Sequence, residues 1–253
     1  MTREITKTQI DRLGERLKKG SISDDDLRLL DQYRRSFSEA YDIVVGTIRK
    51  ELNLEPTGRP AKSTTSISDK LRRESIRLTQ IQDIAGCRLI VPDIAGQDSV
   101  VDSLKNLFGN VTVVDRRQRP SHGYRAVHVI VNLLNKTIEI QVRTSLQHIW
   151  AELSEKFSDV VSPAIKYGGG DEGIQTTLMD WSSLFAKEES LEVKIAHIAA
   201  QLSTRDNITD EDKQRMVNIE NEMNSFRQKV FKDIRAAMKE LEEIKGGSND
   251  ISD

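Results

Sequence analysis

The sequence predicts a mixed α/β (α+β) fold in which a mixed β-sheet is flanked by helices, with long helices at both ends of the chain. Three observations predict it. Short β-branched runs alternate with amphipathic stretches between positions 87 and 160. Apolar residues recur at helical spacing over 6–52 and again over 174–244. Carboxylates, cations and ring nitrogens collect at strand ends and along one strand face between Asp83 and Lys156. That is the layout of a metal-assisted site built on a sheet.

The bulk properties narrow the class. A chain of 253 residues holds one large domain or two small ones. Aromatic residues make up 5%, so the core must be mainly aliphatic. A net charge of −2 gives no global attraction to nucleic acid. Cys87 is the one cysteine, which excludes an intrachain disulfide and a cysteine-based zinc site. No apolar run approaches the roughly 18 residues of a membrane span. No charged-then-apolar leader is seen, so a cytoplasmic location is expected.

Positions 6–19 read as a short amphipathic helix, with Ile10, Leu13 and Leu17 on one face, Gly14 as a weak point and Gly20 as a stop. Ser23 followed by Asp24, Asp25 and Asp26 starts a second helix, the acids being favoured by the N-terminal dipole. Its stripe of Leu27, Leu30, Tyr33, Phe37, Tyr41, Val44, Ile48 and Leu52 predicts one unbroken helix to 52. Pro56, Gly58 and Pro60 make 53–64 a loop. A helix beginning near Thr65 or Ser66 bears Lys70, Arg72 and Arg73. With Arg59 and Lys62 it forms a basic patch, or simply a solvated helix face.

Positions 87–91 are a strand ended by Pro92. Positions 94–108 are a helix with Val100, Val101, Leu104 and Leu107 inward, and 111–114 a second strand. This order suggests a right-handed crossover. A basic loop over 116–123 leads to a third strand at 124–133. An Asn135-Lys136 turn leads to a fourth at 137–142, and a helix covers 145–160. Gly168-Gly169-Gly170 interrupts a loop over 162–173 but lacks the Lys-Ser/Thr of a phosphate loop, which leaves a hinge, a lid or a plain linker. Two helices follow. Leu184, Leu191, Ile195 and Ile198 mark one; Met216, Ile219, Met223, Phe226, Val230, Ile234 and Met238 mark the other, with 207–209 between them. The tail after Lys245 is expected to be disordered. The expected organisation is 1–54 N-terminal helices, 55–165 core and 166–253 helical extension.

Glu139, Gln141 and Arg143 alternate along one strand and so share a face, while Ile138, Ile140 and Val142 take the other. That polar face is either a site or ordinary solvent-exposed surface. His128 lies on the preceding strand, and Asp83 in a turn that Gly86 permits. Two carboxylates from different strands make a hard-oxygen site of the kind Mg²⁺ prefers, with waters and substrate phosphates completing its shell. Arg59, Lys62, Lys70, Arg88 and Arg143 are cations suited to phosphate. Tyr124 offers a face for a base, or is a half-buried strand aromatic. A transition-metal set of His128, His148, Asp83 and Glu139 lacks tight His spacing. A serine triad lacks its Gly-x-Ser-x-Gly elbow. Cys87, Trp150 and Trp181 read as core.

Asp83-Ile-Ala-Gly-Cys-Arg-Leu-Ile-Val, Gly123-Tyr-Arg-Ala-Val-His and Glu139-Ile-Gln-Val-Arg-Thr, with Ile149-Trp-Ala-Glu-Leu following, resemble the synthetase domain of the RelA/SpoT family. Gly58-Arg-Pro-Ala-Lys62 and Ser66-Ile-Ser-Asp-Lys70 resemble its ATP-binding stretch. The resemblance implies a nucleotidyltransferase-like sheet and Mg²⁺-dependent transfer of pyrophosphate from ATP to the 3′ hydroxyl of GDP or GTP. It implies Asp83 and Glu139 at the metal, and Asp83, Glu139 and Arg143 in catalysis. Arg59, Lys62, Ser66, Lys70 and Arg88 would hold ATP, and Tyr124, His128, Arg119, His122 and Gln141 would surround the acceptor. It also implies a small stand-alone synthetase.

The family's usual Pro-Lys-x-Asn-Gly-Tyr is here Arg119-Pro-Ser-His-Gly-Tyr124, and the spacing from Arg59 to Lys62 is one residue longer than usual. The acceptor therefore stays open among GDP, GTP, an adenine nucleotide and the 3′ end of tRNA, the last being the substrate of the family's toxins. A homo-oligomer, an antitoxin partner and a catalytically inactive binding module also remain open.

Overall fold

The computed structural model describes residues 5–203 and 209–249. The side chains of Arg59, of 202–203, 233 and 237, and of 240–249 lie outside that description, as do 207–208 of the expected link and the end of the tail, 250–253. The chain forms two compact units. The first takes in Met1–Ile90, Gln97–Asp115 and Val127–Val142; the second takes in Val91–Gly96, Arg116–Ala126 and Arg143–Asp253.

In the first unit, helix α1 (Lys7–Lys19) opens on a capping box: the Thr6 hydroxyl accepts from the Gln9 amide and the Gln9 side chain accepts from the Thr6 amide. Such a cap contributes about 1 kcal/mol. Gly14 is no weak point, because the helix runs so close to Leu78 that a Cβ there would lie 2.8 Å from the Leu78 Cβ.

The expected single helix to 52 is two, α2 (Asp24–Arg35) and α3 (Ser38–Leu52). Serine hydroxyls break it by bonding the backbone: Ser36 donates to the Tyr33 carbonyl at 2.6 Å and Ser38 to the Arg35 carbonyl at 2.8 Å. The apolar stripe still crosses the break, with Tyr33 and Phe37 edge to face. Leu27 does not belong to it and is exposed. Asp26 is buried instead, with two hydrogen bonds from Arg16 Nε and one from Nη2.

The expected loop contains a short strand, β1 (Thr57–Arg59), and α4 (Thr64–Arg73) starts just before the expected position, capped by Ser63. The sheet is mixed, with strand order β1-β2-β5-β4-β3. Its other strands are β2 (Ala85–Val91), β3 (Val111–Asp115), β4 (Val127–Leu133) and β5 (Lys136–Thr144). Helix α5 (Ile94–Phe108) joins β2 to β3 within the expected bounds. Leu107 is exposed, and Gln97 fills the buried face, donating to the Val142 carbonyl at 2.7 Å.

The third strand begins at Val127, not at Tyr124. Tyr124 closes a turn in which its amide donates to the Ser121 carbonyl at 2.9 Å. The β4–β5 turn is centred on Leu134-Asn135, one residue earlier than expected; their φ values of 51° and 59° are what a two-residue type I′ turn needs. One sheet face is core. Ala85, Cys87 and Leu89 of β2 and Ile138, Ile140 and Val142 of β5 are buried, each large aliphatic side chain contributing about 1.5–3 kcal/mol. Gly86, Arg88, Glu139 and Gln141 take the other face.

In the second unit, α6 (Ser145–Val160) starts at its Thr144 cap. A 3-10 helix, Pro163–Tyr167, occupies the expected loop, and Gly168 closes it in the left-handed conformation. Helix α7 (Glu172–Ser203) follows, and α8 (Asp210–Asn249) continues past Lys245. Leu146, Ile149, Trp150, Leu178, Phe185 and Ile234 belong to one core. The residues that mark α7 in the sequence do not form its buried face: Leu184, Leu191 and Ile198 are exposed. Its buried face instead carries Leu178, Ser182, Phe185, Glu188 and Glu189. Of the α8 stripe, Ile234 is buried but Ile219 and Phe226 are exposed. No helix among the described residues is long and apolar enough to cross a membrane.

Two glycine substitutions should move stability in opposite directions. Gly46→Ala, in α3 with nothing within 4 Å of a new Cβ, is expected to stabilise by about 0.5–1 kcal/mol. Gly14→Ala is expected to lose about 1–3 kcal/mol against Leu78. Urea unfolding of both variants checks the pair.

Candidate active site

In the first unit, the amide of Lys62 donates to the Ile84 carbonyl at 2.7 Å, which ties the 60–63 segment to the start of β2. This brings the Lys62 ammonium onto Asp83 Oδ2, while Lys70, from the last turn of α4, donates to Oδ1 at 3.0 Å. All three side chains are largely buried. Burial pushes the Asp83 carboxyl up, but the charges and hydrogen bonds of the two lysines outweigh it and hold the pKa below its ordinary value.

Strand order sets β5 next to β2, which brings Glu139 against Gly86 and within reach of the Asp83 charge. Ile130 and His128 of β4 pair with Glu139 and Gln141 of β5, so His128, Glu139 and Gln141 share a sheet face. His128 Nδ1 lies 2.8 Å from Glu139 Oε1, and Gln141 Nε2 donates to Oε2 at 2.8 Å. Burial raises the Glu139 pKa, and the bond and charge of His128 outweigh it; the Asp83 charge opposes them, and the net shift is downward. Gly86 lies directly under this strand: a Cβ on it would come within 2.7 Å of the Glu139 carbonyl oxygen.

The two carboxylates are thus ionised and close enough to raise one another's energy. They are hard oxygen donors, with lysines on one flank. This donor set fits a divalent cation such as Mg²⁺ together with the phosphates of a ligand.

In the second unit, Arg143 is buried and its Nη2 donates to the Tyr124 hydroxyl at 3.0 Å, with the guanidinium carbon 5.0 Å from the ring centre. Gly123, at φ 85°, lets the chain pass against Trp150, whose ring would lie 2.6 Å from a Cβ there. Trp150 is core, as expected, and its indole donates to the Leu178 carbonyl at 2.7 Å. An open cavity of about 130 Å³ is bordered by Tyr124, Arg143, Trp150, Ser154, Glu155 and Lys166.

The remaining expected residues are scattered. Ser66 lies in the first turn of α4 against the Ser63 hydroxyl, and Arg88 is half-buried on β2 opposite Thr57. Arg59 has its backbone in β1. Arg119 and His122 stand exposed on the turn before Tyr124, and the His122 ring lies against Gly168. Arg125, Thr144, Gln147 and Glu189, four buried polar residues of the second unit, were not singled out from sequence. The available signal was adjacency, since Arg125 follows Tyr124 and Thr144 follows Arg143.

Residues 58–158 match the model of the region found in RelA and SpoT proteins. They form a RelA/SpoT-family synthetase domain. Structures similar to the chain include small alarmone synthetase 2 from Bacillus subtilis, 28% identical with a TM-score of 0.51, covering 69% of this chain and 99% of that one. Small alarmone synthetase 1 of the same organism is 25% identical with a TM-score of 0.51, over 72% of this chain and 100% of that one. Uncharacterised proteins of Mycobacterium tuberculosis and Mycobacterium bovis are each 33% identical over 133 residues, 51% of this chain and 49% of theirs. The chain therefore spans about half the length of the curated relatives it matches.

Both clusters of the first unit, Lys62–Lys70–Asp83 and His128–Glu139–Gln141, fall inside the RelA/SpoT domain. The folded pKa values of Asp83 and Glu139 lie below their unfolded values. Their stabilisation is therefore complete above the ordinary carboxylate range and is lost as pH falls through the depressed values. Lys62→Met removes one of the two cations at Asp83, so burial weighs more. Carboxylate-detected NMR titration should show Asp83 protonating at higher pH in Lys62→Met than in the parent, and acid unfolding should begin at higher pH.

Proposed function

We propose that the chain is a small alarmone synthetase that transfers pyrophosphate from ATP to the 3′ hydroxyl of GDP or GTP, with Mg²⁺ as cofactor. The observation that carries this reading is the pair of ionised carboxylates, Asp83 and Glu139, flanked by Lys62 and Lys70 within the RelA/SpoT domain. The names of the small alarmone synthetases that resemble the chain over most of their length support it.

Asp83 and Glu139 would hold Mg²⁺, which when bound would neutralise and orient the ATP phosphates. Lys62 and Lys70 leave Asp83 for the phosphates when its charge is taken up elsewhere, so the same two cations serve the resting and the loaded site. Arg59, Ser66 and Arg88 complete the ATP-binding set.

A carboxylate held below its ordinary pKa is a weak proton acceptor. Glu139 therefore acts chiefly through its charge and by fixing the His128 ring, whose Nδ1 faces it. Gln141 keeps the second Glu139 oxygen in place. Tyr124 and Arg143 hold the acceptor beside the adjoining cavity, and Arg119 and His122 lie on the turn before Tyr124. Most of the rate enhancement then comes from positioning and charge stabilisation.

The test is transfer of label from γ-labelled ATP with Mg²⁺, offering GDP, GTP, ADP, ATP and deacylated tRNA separately. Label is expected on a guanine nucleotide, and Glu139→Gln or Asp83→Asn should each lower the rate by about 10²–10³-fold. Label on tRNA alone would replace this reading with a translation-blocking toxin. Full activity in both variants would remove the mechanism.

A further inference from the structure

We propose that Glu189, on α7, is a positioning residue that sets the geometry of Tyr124 and Arg143. The role given to that pair rests on the acceptor reading above. Glu189 lies beyond the matched stretch 58–158 and is 2% exposed, unusual for a glutamate on a helix that is otherwise half in water.

Its two oxygens reach both segments of the acceptor pair. Oε1 accepts from the Thr144 hydroxyl and from Gln147 Nε2 at 3.1 Å. Oε2 lies 2.6 Å from Arg125 Nη1, close but poorly aligned, which makes the contact an ion pair more than a directed hydrogen bond. Thr144 is the residue after Arg143, and Arg125 is the residue after Tyr124. The backbone on which each acceptor side chain stands is therefore pinned to one carboxylate, and the two side chains meet through the 3.0 Å bond from Arg143 to Tyr124. Ser182, two turns earlier on α7, adds a second pin by donating to the Gly123 carbonyl at 2.6 Å. Helix α7 thus grips the 123–125 segment at both ends.

Glu189 compensates a cation that is itself buried. Arg125 is 8% exposed, and its Nε and Nη1 make no directed hydrogen bond. A neutral side chain at 189 leaves that charge uncompensated in the interior, and Arg125 must move to relieve it. Movement there carries Tyr124 with it, and an ångström of displacement at a binding side chain is enough to matter.

Glu189→Gln keeps the shape and the bond from Thr144 while removing the charge. The kcat/KM for the guanine nucleotide acceptor is expected to fall by about 10- to 100-fold. The KM for ATP should stay within about twofold, since the ATP phosphates are assigned to Lys62 and Lys70 and not to the residues Glu189 holds. A purely structural role would depress both substrates together through the folded fraction. Glu189→Gln combined with Arg125→Gln removes the stranded cation and should recover most of the loss.

NMR makes the test independent of turnover. The Arg143 Nε–Hε and Tyr124 ring signals should shift in Glu189→Gln and stay put in Glu192→Gln, a control on the same helix that pairs with Arg227. Unmoved signals, or a lower apparent kcat with both KM values unchanged, would overturn the positioning role. A parent protein that labels no acceptor would instead overturn the functional reading, while the NMR comparison still decides the role of Glu189.

Discussion

Two carboxylates, one in the turn before β2 and one on β5, both kept ionised while largely buried, are the constraint on which the first unit turns. Asp83 and Glu139 each suffer burial, and Glu139 also feels the charge of Asp83. Left alone, one of them would take up a proton. The fold supplies a different remedy to each. Asp83 receives two ammonium groups, from the segment after β1 and from the end of α4, and Glu139 receives a histidine and an amide from its own sheet face. The short β1, the main-chain bond from Lys62 to Ile84 and the cap at Ser63 all read as means of delivering Lys62 and Lys70 to one carboxylate.

The aliphatic face of the same strands makes this arrangement affordable. Ile138, Ile140 and Val142 alternate with the polar residues of β5, and β2 repeats the pattern with Ala85, Cys87 and Leu89. A slip of one residue in register would turn Glu139 and Gln141 into the core and expose the isoleucines. The hydrophobic pattern therefore specifies the electrostatic one. The second unit solves a related problem with a single carboxylate, Glu189, which gathers a cation, a hydroxyl and an amide in an interior that also holds Leu178, Phe185 and Trp150.

What was legible in the sequence was what depends on local periodicity. Helices α5 and α6, the four longer strands, and the shared face of Glu139 and Gln141 follow from repeats of 3.6 and 2, and they emerge within a few residues of expectation. What was not legible depends on partners distant in sequence. Strand β1 is three residues long and exists through its pairing with β2. The break at Ser36 turns on hydroxyls choosing backbone carbonyls over water. Tyr124 looks like the start of a strand because β-branched residues follow it, yet a turn bonded to Ser121 removes it. On α7 the leucines and isoleucines mark the helix without telling which of its faces is buried. The inward face in fact holds two glutamates, and a glutamate in a helix reads as solvated unless its buried arginine is known. Motifs single out the residues around Asp83 and Glu139 in the sequence; the group around Glu189 has no motif.

The most direct measurement is paramagnetic: Mn²⁺ in place of Mg²⁺, titrated into the labelled protein with a non-hydrolysable ATP analogue, with amide line broadening followed residue by residue. The account predicts broadening centred on Asp83 to Gly86 and on Glu139 to Gln141, lost in Asp83→Asn. Broadening centred elsewhere, or unchanged in that variant, would contradict the claim that these two carboxylates form the metal and phosphate site.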